Sequence, residues 1–391
     1  MRDDRPYDLV LFGATGFTGG LTAEYLARHA PSGLRWALAG RNPGKLAAVR
    51  DRLAAIDAGL AELPLLTADA TDPASLRAVA ERGRVVATTV GPYIHHGEPL
   101  VAACAAAGTD YVDITGEPEF VDLMYVRYHA EAVRTGARLV HACGFDSTPH
   151  DLGAWFTVRQ LATDGPVAVD GFVRAGGRFS AGTYHSALTA LSRTGETSRA
   201  ARARKAVEPR PAGRRVRAVP GKVGRSAEVG MWAVPLPTID PQIVRRSAAA
   251  RPEYGPDFRY RHFAAVKRLP TVLAAGVGLA GLLGLVKLPP TRRWLLGRLS
   301  SGQGPSAEQR AKSWFRVRFV GTGGGRTVHT EVAGGDPGYD ETAKMLAESA
   351  LCLAFDDLPP TAGQVTTVTA MGDALLDRLS RAGITFRVLE R

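Results

Sequence analysis

Three glycines in one seven-residue run, Gly13-Ala14-Thr15-Gly16-Phe17-Thr18-Gly19, follow directly on the apolar stretch that begins at Tyr7. That spacing suits the pyrophosphate of a dinucleotide. Gly13 allows the tight strand-to-helix turn, Gly16 lets backbone approach the phosphates, and Gly19 lets the next helix pack close to the sheet. The helix start, with Thr15, Phe17 and Thr18 around it, offers unpaired amides and a positive dipole end to phosphate oxygens. A second apolar run, Leu34 to Ala39, ends in Gly40-Arg41-Asn42, where an NAD-binding chain would place an acid for the ribose hydroxyls. An arginine there pairs with a 2′-phosphate, which a carboxylate would repel, so the expected cofactor is NADP(H). Lys45 is either a second cation for that phosphate or a solvated surface charge.

These residues need a scaffold, and the first 150 positions supply its pattern. Strand signals at Leu63–Ala68, Val85–Val90, Tyr111–Ile114 and Arg138–Ala142 alternate with helical stretches near 43–58, 73–81, 99–107 and 118–135. Each of those stretches opens on a proline, which suits a first helical position. Such alternation predicts an α/β chain with an N-terminal Rossmann domain, a doubly wound parallel sheet, over residues 1–150. Beyond it the pattern loosens into a second α/β (α+β) domain over 151–338, for substrate or dimerisation, and C-terminal helices over 339–391 that pack back on the fold. The glycine run 321–325 lies between two strand signals and opens no helix, so it reads as a hairpin turn.

Ligands in open parallel sheets sit at the carboxyl ends of the strands. Asp69, after the third strand, is placed to accept from the adenine amine, and Gly91-Pro92, after the fourth, puts rigid backbone where the nicotinamide ribose passes. Taken together, Gly13–Gly19, Ala39-Gly40-Arg41, Val90-Gly-Pro-Tyr93, Tyr111-Val-Asp-Ile-Thr-Gly-Glu117 and Gly144-Phe-Asp-Ser-Thr-Pro149 resemble the saccharopine dehydrogenase-like oxidoreductases, and within them the trans-acting enoyl reductases. The resemblance runs over nearly the whole chain. It implies an NADPH-dependent oxidoreductase, in this branch an enoyl reductase of a lipid or polyketide-derived precursor in (glyco)lipid biosynthesis. The chain departs from the family before its last helix, where Gln364–Ala370 replaces a proline-containing turn.

Enoyl reduction puts a hydride on the β-carbon and charge on the carbonyl oxygen, so it needs a hydrogen-bond donor there and a proton for the α-carbon. Tyr93 is the first candidate, with Ser147 and His150 next and Asp146 as an orienting group. The alternative for each is structural: Tyr93 packing on the cofactor, and His95, His96 and His150 as surface or core histidines. No tyrosine has a lysine four residues later, so a short-chain reductase dyad is absent from the sequence.

Composition bounds the rest. The three cysteines are scattered, with no Cys-x-x-Cys, so neither a disulfide framework nor a metal cluster is indicated and the expected setting is reducing and cytoplasmic. The charged N-terminus leads straight into the first strand, without the pattern of a signal peptide. Net charge is +11, and residues 199–225 hold ten Lys or Arg against one acid. No aromatic interleaving accompanies them, which argues against nucleic acid and leaves an acidic carrier protein, an anionic membrane surface or a solvated loop. Leu269 to Val286 is uncharged, and the segment 269–288 is short for a span. It reads as a buried or interfacial helix that meets an acyl chain, the face of the plasma membrane or a homodimer partner. Two other functional readings stay open: a saccharopine-type imine dehydrogenase forming an amino acid, and a non-catalytic NADP-binding protein on lipid surfaces.

Overall fold

From Leu9 onward, strand β1 (Tyr7–Phe12) is apolar on both faces, as the middle of a covered parallel sheet must be. Leu9 and Leu11 point into one core and Val10 and Phe12 into another, the period-two alternation of a strand. The computed structural model describes residues 4–176, 192–272 and 304–390, with the single positions 278, 281, 285 and 291. Around β1 lie β2 (Trp36–Gly40), β3 (Leu65–Thr67), β4 (Gly83–Thr88), β5 (Asp110–Asp113), β6 (Arg138–Val140) and β14 (Gly363–Val365). They form a seven-stranded sheet in the order β14-β6-β5-β4-β1-β2-β3, every pair parallel.

The connecting helices are α1 (Phe17–His29), α2 (Pro43–Ala54), α3 (Pro73–Arg82), α4 (Tyr93–His96), α5 (Glu98–Ala107) and α6 (Pro118–Thr135). Asn42 and Asp72 start two of them by accepting backbone amides, each just before a proline. Helices α3, α5 and α6 cover one face of the sheet. On the other lie α1, α2 and, from far along the chain, α11 (Asp340–Phe355).

Helix α7 (Thr148–Val158) leads to β7 (Pro166–Gly176) of a second sheet, ordered β15-β13-β12-β7-β11-β10-β9, with β8 also paired to β11. Its other strands are β8 (Arg215–Ala218), β9 (Gly224–Ser226), β10 (Met231–Pro235), β11 (Asp257–Val266), β12 (Trp314–Gly323), β13 (Arg326–Gly334) and β15 (Thr385–Leu389). The remaining α-helices among the described residues are α8 (Thr194–Val207), α9 (Asp240–Ala250), α10 (Ala307–Ala311), α12 (Thr367–Ala370) and α13 (Gly372–Arg381). One face of the second sheet packs against α7 in a core continuous with that of the first sheet.

The segment 339–391 is therefore more than the expected helices, because it gives one strand to each sheet: β14 to the first and β15 to the second. Strand β14 is three residues long with buried Gln364 at its centre, so no apolar run marks it. Gln364 accepts from Arg246 and donates to the Val121 carbonyl, which satisfies its polar atoms inside the protein. Most of the apolar segment 269–288 lies outside the described residues. Among the described residues no helix is long and apolar enough to cross a membrane.

The basic stretch 199–225 is partly internal. Arg204 is buried between Asp122 and Glu208, Arg214 donates to carbonyls at the end of α9, and Arg217 pairs with Asp257. The other seven cations are exposed.

Candidate active site

The turn after β1 is built for glycine. Gly13 has φ +94°, and a Cβ on it would lie 2.7 Å from Val90 Cγ2. A Cβ on Gly19 would lie 2.2 Å from the Gly13 carbonyl oxygen, so α1 can approach the turn only without a side chain there. Thr15 and Gly16 are exposed at the start of α1, where phosphate oxygens would meet amides. Phe17 instead turns toward the second domain, its ring edge-on to Tyr339 at 4.8 Å with the Arg310 guanidinium over it. Thr18, in the first turn, accepts through its carbonyl from the Thr22 hydroxyl.

Arg41 extends into solvent from the end of β2, 83% exposed, with Nε 4.0 Å from Asp69 Oδ2. Asp69 itself accepts from the Thr71 amide and hydroxyl, and those bonds lower its pKa. The two residues stand side by side at the β2 and β3 ends, with the cation of Arg41 the one suited to an adenosine 2′-phosphate. At β4 the Gly91–Pro92 peptide is cis and Gly91 is exposed.

Tyr93 does not face this crevice. Its hydroxyl donates to the Thr88 carbonyl at 3.0 Å and accepts from the Ile114 amide at 3.3 Å, and burial pushes its pKa well up. Glu117 receives the Tyr93 and Ile94 amides on its two oxygens, at 3.0 and 2.8 Å. The phenol and this carboxylate tie the β4 loop to the β5 loop.

The loop after β6 is different. Ser147 has φ 155° and caps α7 with its carbonyl, not its side chain, and its buried Oγ has no hydrogen-bond partner. His150, one turn later, is also buried, with Nε2 unpartnered and Nδ1 2.8 Å from Asp240 Oδ1. Asp240 opens α9 and lies 3.5 Å from His262 Nε2 on β11, while His262 Nδ1 meets the Tyr260 hydroxyl at 3.0 Å. Burial alone would raise the Asp240 pKa, but the two imidazoles outweigh it and hold the carboxyl below the usual range. Burial pushes His262 down to about 4, so it is neutral near pH 7. Burial and the Asp240 charge push half-buried Asp146 up to about 6.

His150, Asp240 and His262 are of the types that ligate a divalent ion. The 2.8 Å between His150 and Asp240 is shorter than the edge of about 3.3 Å that two ligands at ~2.1 Å from one ion would make, which reads as direct contact. Neither Asp240 nor His262 was singled out from the sequence. The alternation Phe258, Tyr260, His262 on an inward strand face was the available signal for the histidine.

The loops form one continuous crest along the carboxyl edge of the first sheet. Gly13 touches Val90, Ile114 bonds to Tyr93, Gly144 lies under Ile114, and Gly116 is beside Asp146. Residues 9–140 match the saccharopine dehydrogenase NADP binding domain. A trans-acting enoyl reductase of Mycobacterium tuberculosis is 39% identical, covering 97% of this chain and 97% of the relative. One from Mycobacterium ulcerans is 37% identical, with 97% of each covered. The chain belongs to the trans-acting enoyl reductase family. As a member of that family it is an NADP-dependent oxidoreductase, and the glycine turn with Arg41 fits the cofactor. Saccharopine dehydrogenase (L-Glu forming) from Saccharomyces cerevisiae shares the fold, with a TM-score of 0.56 at 13% identity over 98% of this chain and 99% of that one.

Proposed function

We propose that this protein is an NADPH-dependent enoyl reductase acting on a lipid-like α,β-unsaturated acyl group in lipid biosynthesis. The observation that carries the reading is the pair of buried, unpartnered side-chain atoms, Ser147 Oγ and His150 Nε2, on the loop and helix that end the crest of cofactor loops. Buried polar groups without partners are uncommon and point to a ligand.

When bound, the dihydronicotinamide supplies a hydride to the β-carbon. The Gly13 turn and the first amides of α1 hold the pyrophosphate, and Arg41 holds the 2′-phosphate. Ser147 Oγ donates to the carbonyl oxygen, where charge gathers as the carbon–carbon double bond is reduced. His150 Nε2 gives the proton that the α-carbon needs, which completes the addition of two hydrogens across the double bond. Asp240 holds the His150 ring through Nδ1. The exposed cations Arg199, Arg202 and Lys205 on α8 support an acidic carrier protein as the source of the acyl group.

An imine between an amino acid and a keto acid would bring several carboxylates and call for arginines in the crevice. The arginines of β7, β11 and β12 (Arg174, Arg259, Arg261, Arg316 and Arg318) lie on the other face of the second sheet, which favours the enoyl substrate. NADPH oxidation measured with a trans-2-enoyl thioester, with an imine pair and without substrate tests the reading. Turnover with the thioester alone is expected, and turnover only with the imine would overturn it.

A further inference from the structure

The second sheet continues past His262 as an apolar floor on β10, β11, β7 and β12, with Arg225 of β9 at its outer edge opposite Trp232. Residue parity fixes its two faces, because Phe172, Met231, Ala233, Phe263, Ala265 and Val320 form one cluster. Their strand neighbours of opposite parity face the other way, with Val317 and Phe319 in the core that contains α7. On that inner face the strands are aligned in rows. His262 pairs with Gly171, and Gly171 with Phe319. One step further along, Val234, Ala264, Val173 and Val317 stand in line across β10, β11, β7 and β12. A further step brings Trp232 beside Val266, and Ala175 beside Phe315. Each step is about 7 Å along the strands.

Trp232, Val234, Ala264, Val266 and Val173 are only half-buried, unlike Phe258 and Tyr260 on the same face nearer the α7 packing. Every charged side chain of β7, β11 and β12 has the opposite parity: Asp170 and Arg261 pair with each other, Arg318 pairs with Glu331, and Arg174 covers Trp314. The floor is joined to the chemistry through Phe145, two residues before Ser147. Its ring meets His150 at 5.4 Å and Phe315 at 5.0 Å.

We infer that this floor binds the aliphatic tail of the acyl substrate, running from the His150–His262 end outward across Ala264 and Val173 toward Trp232. The inference rests on the enoyl reductase reading for its head group and adds where the tail lies and which residues set its length preference. A chain of a few carbons would end before the Ala264 row, whereas a long chain would cover both rows and leave water. The site would therefore select long acyl groups through apolar contact along β11 and β7, with the charge of Arg225 only at its outer end.

Two variants and two measurements test it. Ala264→Trp fills the middle of the floor, and Trp232→Ala removes its outer contact. For each, kcat/KM is measured with trans-2-butenoyl and trans-2-dodecenoyl N-acetylcysteamine thioesters, and the saturated dodecanoyl thioester is titrated calorimetrically in the presence of NADP+. The expected result is a fall of about tenfold or more in the long-to-short ratio for Ala264→Trp, with a matching loss of dodecanoyl affinity and a smaller loss in Trp232→Ala. Retained NADPH binding shows that the variants are folded. Ratios and affinities within about twofold of wild type in both variants would overturn the floor as the tail site. If the wild type reduces neither thioester, the enoyl reductase reading fails, and the dodecanoyl titration still decides whether the floor takes an acyl tail.

Discussion

His150 Nδ1 stands 2.8 Å from Asp240 Oδ1, and this contact joins the first turn of α7 to the first turn of α9. It binds the loop after β6 to an element that folds from the second half of the chain. It also leaves Nε2, the other ring nitrogen, unpartnered. In the proposed reaction, Nε2 is the nitrogen that would face the substrate.

His150→Asn should lower kcat by about 10²- to 10⁴-fold, the range for loss of a positioned general acid. Asp240→Asn should lower it less, because the ring loses the carboxylate that orients Nδ1 but keeps Nε2. NADPH affinity, read by fluorescence titration, should stay near wild type in both. A parallel loss of cofactor binding would show that the pair is structural.

Ser147→Ala should cost about 10²- to 10³-fold in kcat if Oγ supports the oxyanion. Its Oγ has no partner within the protein, so the substitution should leave thermal stability almost unchanged. A drop in Tm without a drop in turnover would remove Ser147 from the reaction.

Tyr93→Phe is expected to behave in the opposite way. Removing the hydroxyl strands the Thr88 carbonyl and the Ile114 amide, at a cost of roughly 1–3 kcal/mol in unfolding free energy. Turnover per folded molecule should remain within a few-fold of wild type. Denaturant melts and initial rates on the same sample separate the two effects.

Arg41→Ala should weaken NADPH by about 10- to 100-fold and leave NADH nearly unaffected, as expected for one charge-assisted contact to the 2′-phosphate. Gly19→Ala should abolish binding of both, because its new Cβ would fall 2.2 Å from the Gly13 oxygen and displace the turn itself. Equal losses for both cofactors in Arg41→Ala would take that residue out of cofactor selection.

Stability should carry two opposed pH dependences. The His262 pKa falls from 6.5 in the unfolded chain to about 4 in the fold, so the unfolded state binds more protons between those values. Stability from this residue therefore rises with pH across that window, by on the order of 3 kcal/mol. Asp146, raised from 3.8 to about 6, works the other way and loses stability as pH rises through 6. In Asp146→Asn the melting temperature should climb more steeply between pH 4 and 6.5 than in wild type, and His262→Gln should flatten that climb. Identical slopes in all three proteins would contradict both assignments.

The cofactor half was legible in the sequence because its constraints are local. Gly13 and Gly19 are needed by a turn a few residues long, and the prolines that open α2, α3 and α6 act on their own first turns. The proposed catalytic constellation was only half legible. Ser147 falls within one motif and His150 directly after it, whereas Asp240 and His262 reach them through tertiary folding that no spacing encodes. Tyr93 shows the converse: a motif tyrosine next to Gly91-Pro92 suggests chemistry, yet the turn of α4 rotates its hydroxyl into the gap between β4 and β5. Arg204 and Arg214 looked like surface charge because a run of cations gives no sign that Asp122 or the end of α9 will close over some of them.

Strand β14 carries one more implication. Since residues 363–365 pair with β6, a chain still emerging from the ribosome leaves the β6 edge of the nucleotide-binding sheet unpaired until those residues are made. Truncation at the natural-looking boundary near residue 150 should thus yield not a free-standing coenzyme module but a sticky fragment.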